Sequence, residues 1–450
     1  MSSASLQHVP DGSRQTSRRL RVVAWSLWDW GSAAFNAVMV TFVFGTYLSS
    51  EVFGPDGRGT SWLAAGNAVA GALIAVTAPV IGQRGDRGGK RTLWLGMNTA
   101  LVVACMASCF FVQPQETYLV LGVILLSTGN VFFEYAEVHY NAMLVDISTP
   151  STIGRISGIG WACGYLGGIV LLGLLYLGFI SEGPHWFGVP DEQMLNIRIV
   201  AVIAAGWFLL FSLPVLFAQR RGVGADLTNS AESAQKNAHE PSPSVVESYR
   251  QLWGTLVRMW REDRNTLAFL ISSAVFRDGT GAIFAYGAVL GTTVYGISAS
   301  DVLLFGIGAN VVAAIGAFSG GFLDDKLGPK WVIWISLAGL LALAGTIFFL
   351  DGAGAFWVGG LLLCFFVGPV QSASRGFLGR LVTPDTAGEI YGLYATTGRS
   401  VSFLSPALIT LFVGIVGDSR AMIPAIMLVL LAGALLLIPV RDPKVTSRTL

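Results

Sequence analysis

The sequence predicts an all-α polytopic membrane protein with twelve transmembrane helices in two pseudo-symmetric six-helix bundles. Three observations predict it. Apolar residues make up 53% of the 450-residue chain and charged residues only 12%, where a soluble domain carries about 25% charge. Mean hydropathy is +0.63, and apolar runs of roughly 20 residues, the length that crosses a bilayer core, recur along the chain. A polar turn also occurs twice. Gly82-Gln83-Arg84-Gly85-Asp86-Arg87-Gly88-Gly89-Lys90-Arg91 and Gly321-Phe322-Leu323-Asp324-Asp325-Lys326-Leu327-Gly328-Pro329-Lys330 both fit G-x-x-x-D-[RK]-x-G-x-[RK]. Each follows the second apolar run of its half. Such duplication is the layout expected of a carrier built from repeats.

Taken in order, spans fall near 22–50, 60–82, 92–112, 117–146, 155–180 and 197–218, then near 266–295, 301–323, 331–350, 355–380, 388–416 and 420–440. The tail 1–20 is polar and lacks a signal-peptide pattern, so the first span reads as retained. Residues 21–220 are expected to form the first bundle and 265–441 the second, with a short tail at 442–450. The connecting segment 221–264 divides in two. Residues 222–244 are small and polar and read as a flexible linker. Beyond them Val245, Val246, Tyr249, Leu252, Trp253, Leu256 and Trp260 recur at helical spacing, with Arg250, Arg258, Arg261 and Arg264 beside them. This predicts an interfacial amphipathic helix over 245–262, a lateral prop or a regulatory element.

Lys and Arg fix an expected orientation. Arg14, Arg18, Arg19 and Arg21, the first repeated loop, Arg155, the middle segment, Lys326, Lys330, Arg380, Arg441 and Lys444 all fall on one side. The opposite loops hold Arg58, Arg198 and Arg420 among Glu51, Asp56, Glu182, Asp191 and Glu192. The bias puts both termini in the cytoplasm, at the plasma (inner) membrane if the chain is bacterial.

Ionisable groups at membrane depth cost several kcal/mol each unless they are paired or face water. Here they are Asp29, Glu134, Glu137, Arg277, Asp278 and Arg399. Counted along their helices at about 1.5 Å per residue, they share one layer near the midplane. Glu134, Glu137 and Asn141 share one face of span four, and Asp29 and Asn36 one face of span one. Four acids against two arginines cannot all carry charge cheaply in a low-dielectric layer. One of Glu134 and Glu137 is therefore expected to take up and release a proton, with Arg277 or Arg399 holding the other or a substrate carboxylate. Recognition of a charged substrate, or a static ion-pair network, are the other readings. Tyr286 and Tyr394 are candidate flanks of the substrate. Gly82 and Gly321 permit close approach of helices. Asp86 and Asp325 can accept hydrogen bonds from a helix N-terminus, and Arg87 and Lys326 are expected to pair with acids across the bundle. Together these form a cytoplasmic latch. Gly160, Gly164 and Gly168 in span five read as a close-packing face rather than cavity lining.

Several classes are set aside. No G-x-x-x-x-G-K-[ST] loop for ATP occurs, His8, His139, His185 and His239 form no metal-ligand spacing, and Ser and Cys lack an adjacent base, so no enzyme and no cofactor is expected. Cys105, Cys109, Cys163 and Cys364 lie within apolar runs and read as packing. A net charge of +1 gives no reason to expect nucleic acid.

The two loops resemble the signature turn of the major facilitator superfamily. Trp28-Asp29-Trp30-Gly31-Ser32-Ala33-Ala34-Phe35, the stretch Phe133 to Ile147, and Ile153 to Gly168 are similar to blocks of its vacuolar-effluxer-like branch, that of the autophagy-related vacuolar amino acid exporters. Gln371-Ser372-Ala373-Ser374-Arg375 and Gly392-Leu393-Tyr394 through Phe403-Leu404 are similar too. The resemblance implies a fold in which spans one, four, seven and ten line a central cavity, and efflux or exchange of amino acids, usually by a monomer. It adds Gln371 to the candidate substrate and proton-coupling residues, and Asp146, Arg155 and Arg375 to the gating set. Span five lacks the proline of the G-P-x-x-G-G pattern that exchangers of the superfamily carry, which puts obligate antiport in doubt. The expected function is secondary transport by alternating access of a small polar solute, an amino acid or similar zwitterion, with protons as a candidate coupling ion. Export of a hydrophobic cation or metabolite, and a non-transporting receptor or scaffold, are the alternatives.

Overall fold

The computed structural model describes residues 11–55, 57–181, 183–220 and 244–443. The flexible linker expected over 222–244 lies outside the described residues except for Ser244, as do Asp56, Glu182 and most of both predicted tails. Twelve helices are long and apolar enough to cross a membrane. Spans one to six are Arg18–Leu48, Arg58–Asp86, Arg91–Phe111, Glu116–Ile147, Ile153–Ile180 and Glu192–Ala218. Spans seven to twelve are Arg264–Thr293, Leu304–Leu327, Pro329–Phe348, Ala353–Leu381, Ala387–Val416 and Ser419–Leu437. A further helix, Val245–Glu262, precedes span seven and carries Ser244 as its N-cap, with the Ser244 hydroxyl accepting from the Glu247 amide at 3.2 Å. Asp263 then caps span seven through the Thr266 amide.

Each half has its own aromatic core. In the first, Tyr140 of span four is clamped between Trp25 and Trp28 of span one, with ring centroids 4.4 and 4.3 Å apart. The two tryptophans are three residues apart, so they project from one helical face. The Trp25 indole also donates to the Tyr140 carbonyl at 2.9 Å. In the second half, Phe269 of span seven stacks on Phe377 of span ten at 4.0 Å. Large apolar side chains such as Val69, Leu73, Ile315 and Val358 are exposed, as required on surfaces whose solvent is lipid.

The halves meet along two equivalent seams, span two against span eleven and span five against span eight. Both close at the end that carries the repeated loops, called the motif end below, and both are made by glycine. A Cβ on Gly82 would lie 1.9 Å from the Gly388 carbonyl oxygen, and one on Gly158 would lie 2.4 Å from that of Ala317. Backbones this close leave no room for any side chain. Within the first half Gly167 seats span five on span one, where a Cβ would lie 2.2 Å from the Trp30 carbonyl oxygen.

Two spans are interrupted within their length, and span five ends in a π-helical turn over Tyr176–Ile180. Span one turns π-helical over Ala34–Phe42, with the Val43 amide bonded to the Val38 carbonyl five residues back. Span eleven breaks between Val401 and Leu404. No proline or glycine stands within either interruption, but each has a signal just beyond it: Pro406 has no amide to offer the Ser402 carbonyl, and a Cβ on Gly45 would lie 2.1 Å from the Val40 carbonyl oxygen.

Gly167→Ala is expected to destabilise the folded protein by about 1–3 kcal/mol through overpacking. Gly173→Ala, where nothing lies within 4 Å of the added Cβ, should be neutral or slightly stabilising. Thermal unfolding of both purified variants in detergent measures the contrast.

Candidate functional site

Between the halves lies a cavity of about 420 Å³, lined by spans one, four, five, seven, eight and ten. Its wall is mostly aromatic and small: Trp28, Phe133, Trp161, Tyr165 and Phe284 stand among Gly164, Gly168 and Gly281. Polar groups on it are Asp29, Ser32, Asn36, Thr41, Glu137, Asn310 and Arg375. The glycine stripe of span five therefore only partly packs. Gly164 and Gly168 open onto the cavity, and the tight contact is made by Gly167, one residue off the expected stripe. A Cβ on Gly160 would lie 2.7 Å from both Arg375 Nη2 and Asp29 Oδ2.

Arg375 reaches from span ten into the first half. Its Nη1 donates to Asp29 Oδ2 at 3.1 Å and to Asn141 Oδ1 at 3.3 Å. Its Nε and Nη2 donate to the Ser157 hydroxyl and carbonyl at 3.0 and 2.7 Å. The guanidinium centre lies 4.9 Å from the Trp25 ring and 5.4 Å from Trp161. Tyr391 of span eleven donates its hydroxyl to the Arg375 carbonyl at 2.8 Å. Arg375, expected in the gating set, lines the cavity and is the partner of Asp29.

The other intramembrane charges separate into distinct roles. Glu134 pairs with Arg399 across the halves, and Asn130 Oδ1 accepts from the same guanidinium at 3.4 Å. Glu137, one helical turn away, lines the cavity with no ion-pair or hydrogen-bond partner among the described residues. Arg277 sits over Tyr394, its guanidinium carbon 3.8 Å from the ring centroid, with a buried Nη1 that has no hydrogen-bond partner among the described residues. Asp278, expected in the substrate layer, turns away and accepts from the Ser405 amide at 2.7 Å, capping the upper piece of the broken span eleven. Gln371 Nε2 lies 3.5 Å from the Thr280 hydroxyl. Tyr286 packs beside the core of the second half, and neither it, Tyr394 nor Gln371 lies on the cavity wall.

The motif end is bolted twice. Asp86 accepts from the Gly388 and Glu389 amides at the start of span eleven, at 2.9 and 3.0 Å. Asp325 accepts from the Gly154 and Arg155 amides at the start of span five, at 2.9 and 3.2 Å. Each carboxylate meets the positive end of a helix belonging to the other half. Gly321 packs its backbone against Gly154 and Gly158. Of the cations expected in the gating set, Arg155 pairs across a seam with Asp325, Arg87 and Lys326 do not, and two further arginines cross. Arg91 bonds Asp86, Asp146 and the Pro384 carbonyl. Arg380 bonds Asp324 at 2.8 Å, Asp325 at 3.3 Å and the Pro150 carbonyl at 3.0 Å. Arg87 instead reaches Gln251 of the helix Val245–Glu262. Lys326 is exposed and has no partner among the described residues, while Arg155 stands 3.7 Å from Asp325. Sequence reasoning named neither Asp324 nor the crossing role of Arg380. Two adjacent acids and an arginine at the end of span ten were the available signal. His139 is fully buried with both ring nitrogens unpartnered, packed where a Cβ on Gly85 would lie 2.3 Å from its Cε1. Among the described residues no cluster of His, Cys, Asp and Glu suits a metal ion.

Twelve spans in two halves, seams closed by the duplicated loops and a cavity between them define a multi-pass membrane transporter of the major facilitator superfamily. The family described as "Vacuole effluxer Atg22 like" matches residues 49–447, and the chain belongs to that family. It is 24% identical over 421 residues to the "Uncharacterized MFS-type transporter YxiO" of Bacillus subtilis, covering 92% of this chain and 93% of that protein. It is 23% identical to autophagy-related protein 22-1 of Neosartorya fischeri over 61% of this chain, and spans only 47% of that longer protein. Among solved structures, the proton:xylose symporter XylE superposes over 96% of this chain and 97% of its own, with TM-score 0.72 and 12% identity. FucP in the outward conformation covers 94% and 98% of the two chains, with TM-score 0.65 and 13% identity. At such identities these two likenesses concern the fold alone.

Arg375→Met leaves the Asp29 carboxylate, partly exposed on the cavity wall, without its cation, which is expected to cost about 1–3 kcal/mol. Asp29→Asn in the same chain should restore part of that loss. Unfolding of the two single variants and the double variant forms the cycle, and strict additivity of the losses would contradict the pairing.

Proposed function

We propose that this protein is a secondary transporter that moves a small amine-bearing solute by alternating access, an amino acid being the first candidate. The single observation that carries the reading is the free carboxylate of Glu137 on the wall of a cavity between two halves. In this reading both termini face the cytoplasm of a plasma-membrane protein, the motif end is the cytoplasmic end, and the closed seams describe an outward-facing state. The half 21–220 rocks against 265–441 about the segment 221–264, and a single chain is the working unit.

A zwitterion needs a cation as well as an anion on the protein. Arg277 is held over the Tyr394 ring and lies off the wall. Arg375 uses four donor interactions within the protein, and a guanidinium has only five N–H groups. One donor is left for a solute carboxylate, too few for the bidentate grip expected from the sequence. The ammonium end is therefore the end that the site recognises more strongly, through Glu137, with Asp29 beside it. An aromatic wall suits an organic cation by the attraction of a ring face for positive charge. That is the specific support for the second reading, export of a hydrophobic cation.

Proton coupling rests on the same residue. Glu134 has its counter-ion in Arg399, so its charge is matched in place. Glu137 forms no ion pair, although Arg277 and Arg375 lie near enough to act on its charge, and when no solute cation is present a proton neutralises it in place. Exchange of a proton for an ammonium at one carboxylate couples the two fluxes with opposite sign. The relatives named as autophagy-related proteins support the transporter class and leave the solute open.

Counterflow in proteoliposomes, run with an amino acid, the amine lacking its carboxylate, and the acid lacking its amine, tests the reading. The amino acid and the amine should exchange and the acid should not. Transport of the acid alone would overturn it. Glu137→Gln should abolish the pH dependence of exchange, whereas Glu134→Gln should lower stability and keep the pH dependence.

A further inference from the structure

The helix Val245–Glu262 takes no part in lining the cavity. Its inner face is committed to the first seam. Ser248, Thr255 and Met259 are buried. Gln251 accepts from Arg87 and, at 3.4 Å, from Gln83 Nε2. Thr255 and Glu389 line a common cleft of about 250 Å³, and the Glu389 amide is one of the two that hold Asp86.

The outer face is different. Val246, Trp253 and Trp260 recur every seven residues and are 78%, 69% and 64% exposed. At 3.6 residues per turn they form one stripe, and Arg250 and Arg261, both exposed, border it. The acids at the end of the helix are engaged elsewhere. Glu262 and Asp263 line the cleft, and Asp263 also accepts from the Thr266 hydroxyl at 2.6 Å. Glu247, half-buried in the first turn, is the remaining acid of the helix, against exposed Arg250, Arg258 and Arg261, so the outward charge is net positive. On its other border Tyr249 donates its hydroxyl to the Val76 carbonyl of span two at 3.1 Å. Val69, Leu73 and Val76 are exposed on that span, so the stripe continues a surface that faces lipid. Exposed tryptophans flanked by arginine match the headgroup region, where an amphipathic ring and a cation both find partners.

We propose that this helix docks on anionic phospholipid headgroups of the surrounding leaflet, and that docking presses Gln251 and Thr255 onto the Asp86 seam and stabilises its closed form. The proposal does not depend on which solute fills the cavity. Its occupant is the bilayer itself, chosen on charge complementarity and on continuity with the lipid-facing side of span two.

Hydrogen–deuterium exchange of the full chain tests it in nanodiscs of phosphatidylcholine, in nanodiscs of phosphatidylcholine with phosphatidylglycerol, and in detergent. Phosphatidylglycerol should slow exchange in 245–262 and in the seam segments 82–91 and 387–392. The effect should be roughly fivefold for each arginine that reaches the headgroups and should fall with added salt. Arg250→Gln with Arg261→Gln should remove the phosphatidylglycerol effect and leave the behaviour in phosphatidylcholine unchanged. Equal exchange in the two kinds of disc overturns the proposal, and the wild-type comparison alone decides this if the variant fails to fold. A phosphatidylglycerol effect that persists in the variant, or that protects the helix and not the seam, also overturns it. So does full protection of the helix in detergent, because another part of the chain or a second copy then covers the stripe.

Discussion

A charge removed from water must find its opposite nearby, and in this protein the opposites stand on different halves. Asp29 meets Arg375 and Glu134 meets Arg399, so spans one and four are tied to spans ten and eleven through the middle of the membrane. At the motif end the same constraint is met by helix ends: Asp86 and Asp325 are each satisfied by amides that the facing half supplies. Neither half carries a complete set of partners for its own charges. Separation of the halves exposes these groups, and exposure is tolerable only where water enters, so opening one end of the molecule requires wetting that end. Glu137 stands outside the arrangement, on the cavity wall with no hydrogen bond or ion pair among the described residues.

The two loops show how one constraint is met by different residues. In the first half Arg91 follows the loop and links Asp86, Asp146 and a carbonyl across the seam. Lys330 occupies the matching place in the second half, yet it serves the carbonyls of Ile438 and Val440 at the end of span twelve. The crossing role there passes to Arg380, at the end of span ten, facing Asp324 and Asp325. The charges are exchanged between loop and helix end while the seam keeps its chemistry. An ammonium on a flexible stem suits a cluster of carbonyls, whereas a planar guanidinium can hold two carboxylates at once.

The number of spans, the duplicated loops and the depth of the charges were legible in the sequence because each depends on composition or on distance along one helix. Depth, however, says nothing of azimuth between helices. Asp278 shares its level with Arg277 but points to the Ser405 amide, and Tyr394 lies beneath Arg277 instead of facing a solute. Arg375 was misplaced for a related reason: its Cα lies towards the motif end of span ten, while its long side chain carries the charge to Asp29. The breaks at Ala34–Phe42 and at Val401 to Leu404 lack glycine or proline within them. Their signals stand just beyond them, Gly45 after the first and Pro406 after the second, where Asp278 adds a tertiary partner.

The break in span eleven gives that rod two masters. Its lower piece begins with the amides clasped by Asp86 and answers to span two; its upper piece begins at the amide clasped by Asp278 and answers to span seven. Ser402 and Phe403 therefore separate two helical pieces that are held by different spans, each through a carboxylate at its own N-terminus.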